Sequence, residues 1–323
     1  MGAQGFPRTA FILGAGLGTR LRPLTDVLPK PLIPVGQSPL IRHAFAHCAA
    51  AGVERFIVNT HHLAARYEEF FPQPEFEGRP IRFIHEPEVL ETAGGLWNIA
   101  PALEAWQEDG PVLVYNGDVL STLDLGELWA THQRSGAEVT LGLLPSGGPI
   151  QVNFDSSVGH IRDFGARLLP DSPSNALFTG IYIVEPAFRA RLVPGLKESV
   201  VPVWVRMIQE GAIVAGAWLG GGHWRDLGRR EEYLRVVREL HEAPGDWAAL
   251  ANESLVSPEA QINREARLLG ACQIGAGARL GAGAVLEECI VWPGAEIAPG
   301  AHLRHCIVTG RSLISGDYSG VDI

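Results

Sequence analysis

The 323-residue sequence lacks the features that mark several special classes of protein. No apolar run reaches the roughly 18 residues of a membrane span, and residues 1–9 do not show the charged and then apolar pattern of a secretory leader. No glycine period of three runs through the chain, which excludes a collagen-like fold. The four cysteines are too few for a disulfide scaffold, and none forms a Cys-x-x-Cys pair. We therefore expect a soluble, cytoplasmic protein with reduced thiols.

Positive charge is also scarce, because 26 Lys and Arg stand against 36 Asp and Glu, for a formal net charge of −10. Nucleic acids and anionic membranes are bound through a basic field, so neither is an expected partner. A small anion held by local dipoles is still compatible with this balance. What the chain does contain is 46% hydrophobic residues, 38 Gly and 23 Pro, with enough length for two domains.

Short β-rich runs alternate with segments of helical period in the first part of the chain, which is typical of βαβ units over a mainly parallel sheet. The predicted strands lie at residues 9–13, 55–59, 81–84 and 112–116, and the predicted helices at 39–51, 63–71, 95–105 and 124–135. Strands predicted at 138–143, 152–154, 178–184 and 213–218 extend the sheet, and an amphipathic helix at 229–241 closes the domain. We predict an α/β domain with a mixed, mainly parallel sheet over residues 1–245.

The composition changes after Pro244-Gly245, and a repeat follows. Aliphatic residues recur every six positions, at 262, 268, 274, 280 and 286, while Cys272, Cys289 and Cys306 are 17 apart. Such a period predicts a three-sided coil of about 17–18 residues whose rungs stack. It resembles a left-handed parallel β-helix of the hexapeptide-repeat type over residues 252–323. The cysteines then form a packed ladder, which we favour over a metal site because paired ligands two to four residues apart are missing.

A glycine-rich loop follows the first strand, with Gly14, Gly16 and Gly18 at the point where the strand ends. Without Cβ atoms, backbone N–H groups there can approach a phosphate closely. The loop is not a P-loop, because no Gly-Lys-Ser/Thr follows it, and it is an imperfect dinucleotide fingerprint. A basic pair distinguishes it from both: Arg20 directly after the loop, and Lys30 between two prolines.

The run LGAGLGTRLRPLTDVLPKPLIPV at residues 13–35, here called the signature segment, resembles the signature of sugar-1-phosphate nucleotidylyltransferases (NDP-sugar pyrophosphorylases). Further pieces agree in the same order: LETAGG at 90–95, Asn-Gly-Asp at 116–118, FTGI at 178–181 and GHWRDLG at 222–228. The resemblance covers about residues 8–243. It implies a Rossmann-like nucleotidyltransferase domain that joins a nucleoside triphosphate to a sugar 1-phosphate and releases pyrophosphate, with an appended left-handed β-helix.

The same resemblance implies roles for individual residues. Arg20 holds the β- and γ-phosphates, Lys30 bridges the sugar phosphate and the α-phosphate, and Asp118 and Asp226 together hold Mg²⁺, a cation that prefers carboxylate and phosphate oxygens. Gly94-Gly95 is expected to open a helix whose N-terminus faces the ligand. The implied nucleotide-binding residues are Leu13, Gly14, Ala15, Gly16, Gly18, Thr19, Glu86, Thr92, Ala93, Gly94 and Gly117, and the implied sugar-binding residues are Glu91, Asn116, Thr179 and Gly180.

Several alternatives stay open. Taken singly, each of these residues favours a structural interpretation: Asp118 as a turn residue, Asp226 as a helix cap and Lys30 as a solvated surface lysine. Together, in this order along the chain, they favour the catalytic interpretation. His43 and His47 have a zinc-compatible spacing but lack the glutamate of a metalloprotease between them, so we do not expect them to bind zinc.

The substrate pair is open as well. Glu91 stands where mannose- and glucose-type enzymes have Gly, and LETAGG also resembles the Glu-Thr-Gly-Gly-Gly of N-acetylmuramate 1-phosphate uridylyltransferases. The Glu-Lys-Pro of many relatives is absent, and Asp163-Phe164-Gly165 stands in its place. We favour a mannose-1-phosphate guanylyltransferase-like enzyme over a uridylyltransferase acting on an amino sugar or N-acetylmuramate 1-phosphate. A non-catalytic regulatory subunit and a nicotinamide oxidoreductase are weaker alternatives, and we expect a homo-oligomer formed through the β-helix.

Overall fold

A computed structural model describes residues 5–242, 247, 254–310 and 312–323. The chain forms two compact units. The first comprises Met1–Leu17 and Ala44–Trp224, and the second comprises Gly18–His43 and Arg225–Ile323. The predicted domain boundary at Pro244-Gly245 lies outside the described residues, so the division into 1–245 and 252–323 stays a prediction. None of the helices within the described ranges is long and apolar enough to cross a bilayer.

The first unit is built on one ten-stranded sheet, and all eight strands predicted up to residue 218 belong to it. Seven neighbouring strands at its centre are joined by parallel pairs except around Leu177–Val184, which is antiparallel to both its neighbours. The order across the sheet is Val152–Asp155, His160–Phe164, Val214–Trp218, Val139–Leu144, Leu177–Val184, Val112–Asn116, Thr9–Leu13, Arg55–Thr60, Arg79–His85 and Glu75–Phe76. The predicted mixed, mainly parallel sheet is confirmed.

Parallel pairing aligns the carboxyl ends of three central strands. Leu13, the last residue of its strand, is in register with Asn59 on one side and with Asn116 on the other. In open α/β sheets, ligands bind outside the carboxyl ends of the strands. The predicted loop after Leu13 and the Asn116-Gly117-Asp118 segment therefore leave the sheet at the same edge.

The predicted helices are present, with two differences among the helices longer than four residues. The single helix predicted at 95–105 is two helices, Glu91–Asn98 and Ala100–Ala105, because Pro101 occupies the first turn of the second one. The helix Val200–Gln209 was not predicted; Pro202 lies in its first turn, where a missing N–H costs no intrahelical bond. The remaining helices of four or more residues in the described ranges are Leu24–Val27, Leu40–Ala51, Ala65–Phe70, Leu125–Ser135, Pro186–Arg189 and Arg230–Glu242.

In the second unit, residues 254–310 and 312–323 form a short parallel β-helix, as the six-residue period predicts. Its strands stack in three parallel sheets: Gln261–Ile262, Arg279–Leu280, Glu296–Ile297 and Leu313–Ile314; Arg267–Leu269, Val285–Glu287, His302–Arg304 and Asp317–Ser319; and Gln273–Ile274, Ile290–Val291 and Ile307–Val308. Cys272, Cys289 and Cys306 are buried in its core beside the aliphatic corners. The cysteine ladder is confirmed.

The second unit also contains most of the signature segment. It forms a single turn at Thr19–Leu21, the helix Leu24–Val27, a second turn at Lys30–Leu32, and a hairpin of Pro34–Val35 with Ser38–Pro39. Short turns suit this segment because its prolines fix φ and remove backbone donors.

Candidate active site

The start of the glycine loop is held by side chains of the first unit. Gly14 N–H donates to Asn59 Oδ1 at 2.7 Å, and the Tyr67 hydroxyl donates to the Gly14 carbonyl at 3.1 Å. A Cβ on Gly14 would lie 2.6 Å from the Asn59 carbonyl oxygen. Glycine is thus required here by packing, and both polar groups of Gly14 already have partners. Gly16, by contrast, is exposed with open space around its Cα.

A buried carboxylate orients the asparagine that holds the loop. Glu86 is fully buried; its Oε1 accepts from Asn59 Nδ2 at 2.8 Å and its Oε2 accepts from Leu90 N–H at 3.0 Å. Donors and acceptors therefore run in one direction from Gly14 through Asn59 to Glu86. Glu86, predicted to bind nucleotide, is placed behind the loop by these bonds.

Thr92, Ala93 and Gly94, which are predicted to bind nucleotide, lie in the first turn of the helix Glu91–Asn98. This helix begins three residues earlier than the expected start at Gly94-Gly95. Glu91 itself has a positive φ of 61°. The Thr92 hydroxyl accepts from Val200 N–H at 2.8 Å, and the N–H groups of Ala93 and Gly94 donate to the Glu198 carbonyl. The chain itself therefore satisfies these first-turn donors.

Two of the four residues predicted to bind sugar, Thr179 and Gly180, lie on the bulged strand Leu177–Val184. Gly180 has φ of 78°, and a Cβ on it would lie 2.5 Å from Asn116 Nδ2, so only glycine lets the asparagine side chain lie there. The buried Thr179 hydroxyl donates to the Gly142 carbonyl at 2.8 Å, and the Thr179 carbonyl accepts from Trp224 Nε1 at 2.8 Å. Thr179 thus shapes the bulge through its own hydrogen bonds.

The Asn-Gly-Asp segment leaves the sheet next to the loop strand. Gly117 N–H donates to the Leu13 carbonyl at 3.0 Å, which ties residue 117 to the last residue before the glycine loop. Asp118 follows directly and is partly buried. The role of Asp118 as a metal ligand stays a prediction.

The second unit brings three of the predicted catalytic residues together. Lys30 is 7% exposed, and its Nζ lies 3.2 Å from Asp226 Oδ1. A Cβ on Gly228 would lie 3.0 Å both from Arg20 Nη2 and from Asp226 Oδ1, so the guanidinium and the carboxylate pack over this glycine. Lys30 thus contacts the Asp226 carboxylate, and the Arg20 guanidinium lies against Gly228, two residues further along the chain.

Composition carries a further signal for Lys30. The sequence has only two lysines, Lys30 and Lys197, among 26 basic residues. An ammonium is a compact point charge, whereas a guanidinium prefers planar, bidentate partners. Most basic positions of this chain hold arginine, but the buried position beside Asp226 holds lysine. This choice indicates a special role for Lys30.

Asp163, which stands in place of the family's Glu-Lys-Pro, organises a turn. It is buried, and its carboxylate accepts from the backbone N–H groups of Phe164 at 2.7 Å, Arg167 at 3.2 Å and Leu169 at 2.9 Å. These bonds explain the residue without a ligand.

The two histidines spaced four apart also have partners within the protein. His43 Nε2 lies 2.9 Å from the Val35 carbonyl. His47 Nε2 lies 2.7 Å from the Leu123 carbonyl, and its Nδ1 lies 3.1 Å from the Tyr115 hydroxyl. Burial lowers the pKa of His47, which is consistent with a neutral ring that donates to Leu123 and accepts from Tyr115.

A divalent cation fits the carboxylates only with help from substrate. Among the described residues, no group of three or more His, Cys, Asp or Glu could hold a metal ion. Mg²⁺ is commonly bound by one or two carboxylates together with substrate phosphates, and the side chain of Asp226 is 38% exposed. Asp226 could therefore share a divalent cation with substrate phosphate oxygens.

Comparison with known proteins agrees with this chemistry. Residues 9–243 match the family model described as nucleotidyl transferase. The chain belongs to this family. Members generally use a divalent metal ion.

Relatives of this nucleotidyl transferase extend over the β-helix as well. This chain is 31% identical to the mannose-1-phosphate guanylyltransferase of Mycobacterium tuberculosis, over 88% of this chain and 79% of the relative. It is 30% identical to the mannose-1-phosphate guanylyltransferase catalytic subunit beta of Xenopus tropicalis, over 95% and 92%. Identity to the UTP–glucose-1-phosphate uridylyltransferase of Synechocystis is 24%, over 97% and 90%.

Proposed function

We propose that this nucleotidyl transferase joins a nucleoside triphosphate to a sugar 1-phosphate and releases pyrophosphate, with GTP and mannose 1-phosphate as its substrates and Mg²⁺ as its metal. The supporting observation is that relatives named mannose-1-phosphate guanylyltransferase share 30–31% identity over 88–95% of this chain.

Charge placement supports the chemistry. The sugar-phosphate oxygen attacks the α-phosphorus in line while pyrophosphate leaves, so the protein mainly positions and neutralises phosphoryl oxygens. In this proposal Arg20 holds the β- and γ-phosphates, and Lys30 turns its ammonium from Asp226 to the α-phosphate and the sugar phosphate. Asp118 and Asp226 would hold Mg²⁺, which would neutralise charge on the phosphate oxygens.

Backbone and amide groups position the two substrates. We place the nucleotide along Leu13, Gly14, Ala15 and Gly16, where the open space at Gly16 permits close approach. We place the sugar beside Asn116 and Gly180, whose packing fixes the asparagine amide. We also propose that the other residues predicted to bind nucleotide or sugar contact these substrates, in the roles that the resemblance implies.

Uridylyl transfer is the second candidate, because a relative over 97% of this chain is named UTP–glucose-1-phosphate uridylyltransferase. Pyrophosphate release should be measured with GTP, UTP, ATP, CTP and dTTP against mannose, glucose, N-acetylglucosamine and N-acetylmuramate 1-phosphates. We expect GTP with mannose 1-phosphate to give the highest kcat/KM. Faster turnover with UTP would favour the second candidate, and binding without pyrophosphate release by any pair would favour a regulatory subunit.

We also propose a homo-oligomer formed through the β-helix, in the cytoplasm, where nucleoside triphosphates are available. Leu313 is 60% exposed and Val321 40% exposed in the last coil, so apolar surface is present for such a contact. Light scattering of the full chain should show a smaller particle for Leu313→Glu.

A further inference from the structure

Residues 34–37, here called the anchor strip, begin four residues after Lys30 and are held by a buried side chain of the β-helix. Gln273 is 1% exposed; its Nε2 donates to the Pro34 carbonyl at 3.1 Å, and its Oε1 accepts from Gly36 N–H at 2.8 Å. One amide therefore satisfies both a carbonyl and an N–H of the strip. Such paired hydrogen bonds fix the position of the strip relative to Gln273, because moving either one would leave buried polar groups without hydrogen-bond partners.

A second buried donor reaches the same carbonyl. The Tyr233 hydroxyl donates to the Pro34 carbonyl and accepts from Trp292 Nε1 at 3.3 Å. Burial raises the pKa of Tyr233, which keeps the hydroxyl a donor. The Pro34 carbonyl thus uses both of its lone pairs on residues of the C-terminal part of the chain.

The tip of the strip is held as well. Gln37 Nε2 lies 3.1 Å from the Ser254 carbonyl, 3.0 Å from the Leu255 carbonyl and 3.2 Å from the Ile274 carbonyl. The β-helix therefore contacts the strip at residues 34, 36 and 37.

Little backbone freedom separates the strip from Lys30. The Lys30–Leu32 turn is closed by a bond from Ile33 N–H to the Lys30 carbonyl at 3.2 Å, and prolines at 29, 31 and 34 fix their φ angles. A shift of Pro34 is consequently transmitted to Lys30.

The partner of Lys30 is tied to the same β-helix. Asp226 precedes the helix Arg230–Glu242, in which Arg230 pairs with Asp322 at 2.6 Å and Arg238 pairs with Glu288. The segments that carry Lys30 and Asp226 are therefore both bonded to the same β-helix.

We propose that the β-helix positions the catalytic lysine, with Gln273 as the positioning residue, so that it serves the transfer reaction itself in addition to any role in assembly. This inference rests on the proposed function for the role of Lys30 in catalysis, but not for its placement.

The test uses the full chain and the fact that it has only two lysines. Lys30 and the exposed Lys197 are acetylated with a small amount of acetic anhydride, and the ratio of their labelling is read by peptide mass spectrometry. Wild type is compared with Gln273→Leu and with the milder Gln37→Ala, which leaves Gln273 in place. The control is Ile297→Ala, a substitution in the β-helix core outside these contacts.

We expect the Lys30 to Lys197 labelling ratio to rise at least threefold in Gln273→Leu and less in Gln37→Ala, with kcat reduced about tenfold and KM changed less. Ile297→Ala should lower the unfolding temperature yet leave the ratio and kcat near wild type. A ratio in both Gln variants that matches Ile297→Ala overturns the inference. Absence of turnover in wild type overturns the proposed function instead, since the labelling ratio does not depend on activity.

Discussion

Hydrogen bonds join Gly14, Asn59, Glu86 and Leu90 in a row, and the central bond, between the side chains at 59 and 86, can be reversed by an isosteric exchange. In the native chain, the amide at 59 donates to the carboxylate at 86, while backbone N–H groups donate into both ends. The double variant Asn59→Asp/Glu86→Gln keeps every bond: the new aspartate accepts from Gly14 N–H and from the new glutamine, whose carbonyl accepts from Leu90 N–H. Shape and net charge are unchanged.

Each single substitution breaks the order. Asn59→Asp sets two carboxylates against each other across a 2.8 Å contact, and Glu86→Gln sets a donor against either Leu90 N–H or the Asn59 amide. A buried unsatisfied or opposed polar group costs about 1–3 kcal/mol, so the two singles should together cost about 2–6 kcal/mol. The double variant should lie within about 1 kcal/mol of wild type, because its bonds are restored.

Urea unfolding followed by tryptophan fluorescence measures the cycle, with thermal unfolding as a check at about 2–4 °C per kcal/mol for a domain of 150–250 residues. The control pair is Asn59→Asp with Glu185→Gln, because Glu185 accepts from His132 and has no bond to Asn59. For that control pair, the changes in the free energy of unfolding of the two single variants should add up to that of the double variant. For Asn59→Asp with Glu86→Gln, the double variant should be more stable than this sum by roughly 2 kcal/mol or more. Additive costs at 59 and 86 would refute the orientation assigned to the network.

Three further predictions follow from the site. Gly180→Ala should destabilise the chain by about 2–4 kcal/mol in urea unfolding, because residue 180 has a positive φ and its new Cβ would lie 2.5 Å from the Asn116 amide. The control Gly159→Ala has a similar φ of 75° but open space around it, so it should cost only about 1 kcal/mol. Equal costs would disprove the close-contact explanation. Burial lowers the pKa of His47 in the folded chain, so the unfolded chain binds a proton at a higher pH than the folded chain does. The free energy of unfolding should therefore fall as the pH drops below the unfolded pKa of about 6.5, and His47→Gln should flatten that fall between pH 7 and 5. An unchanged slope would contradict the assignment of a neutral ring. Asp118→Asn should reduce pyrophosphate release at least about 100-fold with unchanged unfolding, and a near wild-type rate in Mg²⁺ would disprove its role as a metal ligand.

Much of the architecture was predictable because it depends on local periodicity. Apolar runs located the strands Thr9–Leu13 and Val112–Asn116 to the residue, and the six-residue aliphatic repeat located the β-helix. The helix Val200–Gln209 was missed because Pro202 argues against a helix unless it falls in the first turn, and only the Ser199 cap fixes that position.

The reasons for particular glycines and carboxylates were less predictable, since they lie in partners distant along the chain. Gly14 fits a phosphate-approach interpretation from sequence, yet its contacts are Asn59, 45 residues away, and Tyr67, 53 residues away. Asp163 likewise stands where relatives carry a functional triplet, but its acceptor bonds to following N–H groups define a turn. The sequence spacing around Gly14 and Asp163 does not predict the partners of either residue.

The grouping of the signature segment with the β-helix changes how the C-terminal part of the chain should be tested. A chain ended near residue 250 would lose Gln273 and the carbonyls of Leu255 and Ile274, which together hold the anchor strip behind Lys30. Such a truncation would lower activity even if the β-helix made no contact between subunits, so a combined loss of size and activity could not separate assembly from positioning. Leu313→Glu separates them, because Leu313 is exposed in the last coil while the strip stays anchored. If assembly alone mattered, this variant would lose both size and turnover; if positioning matters, it should become smaller and keep its kcat.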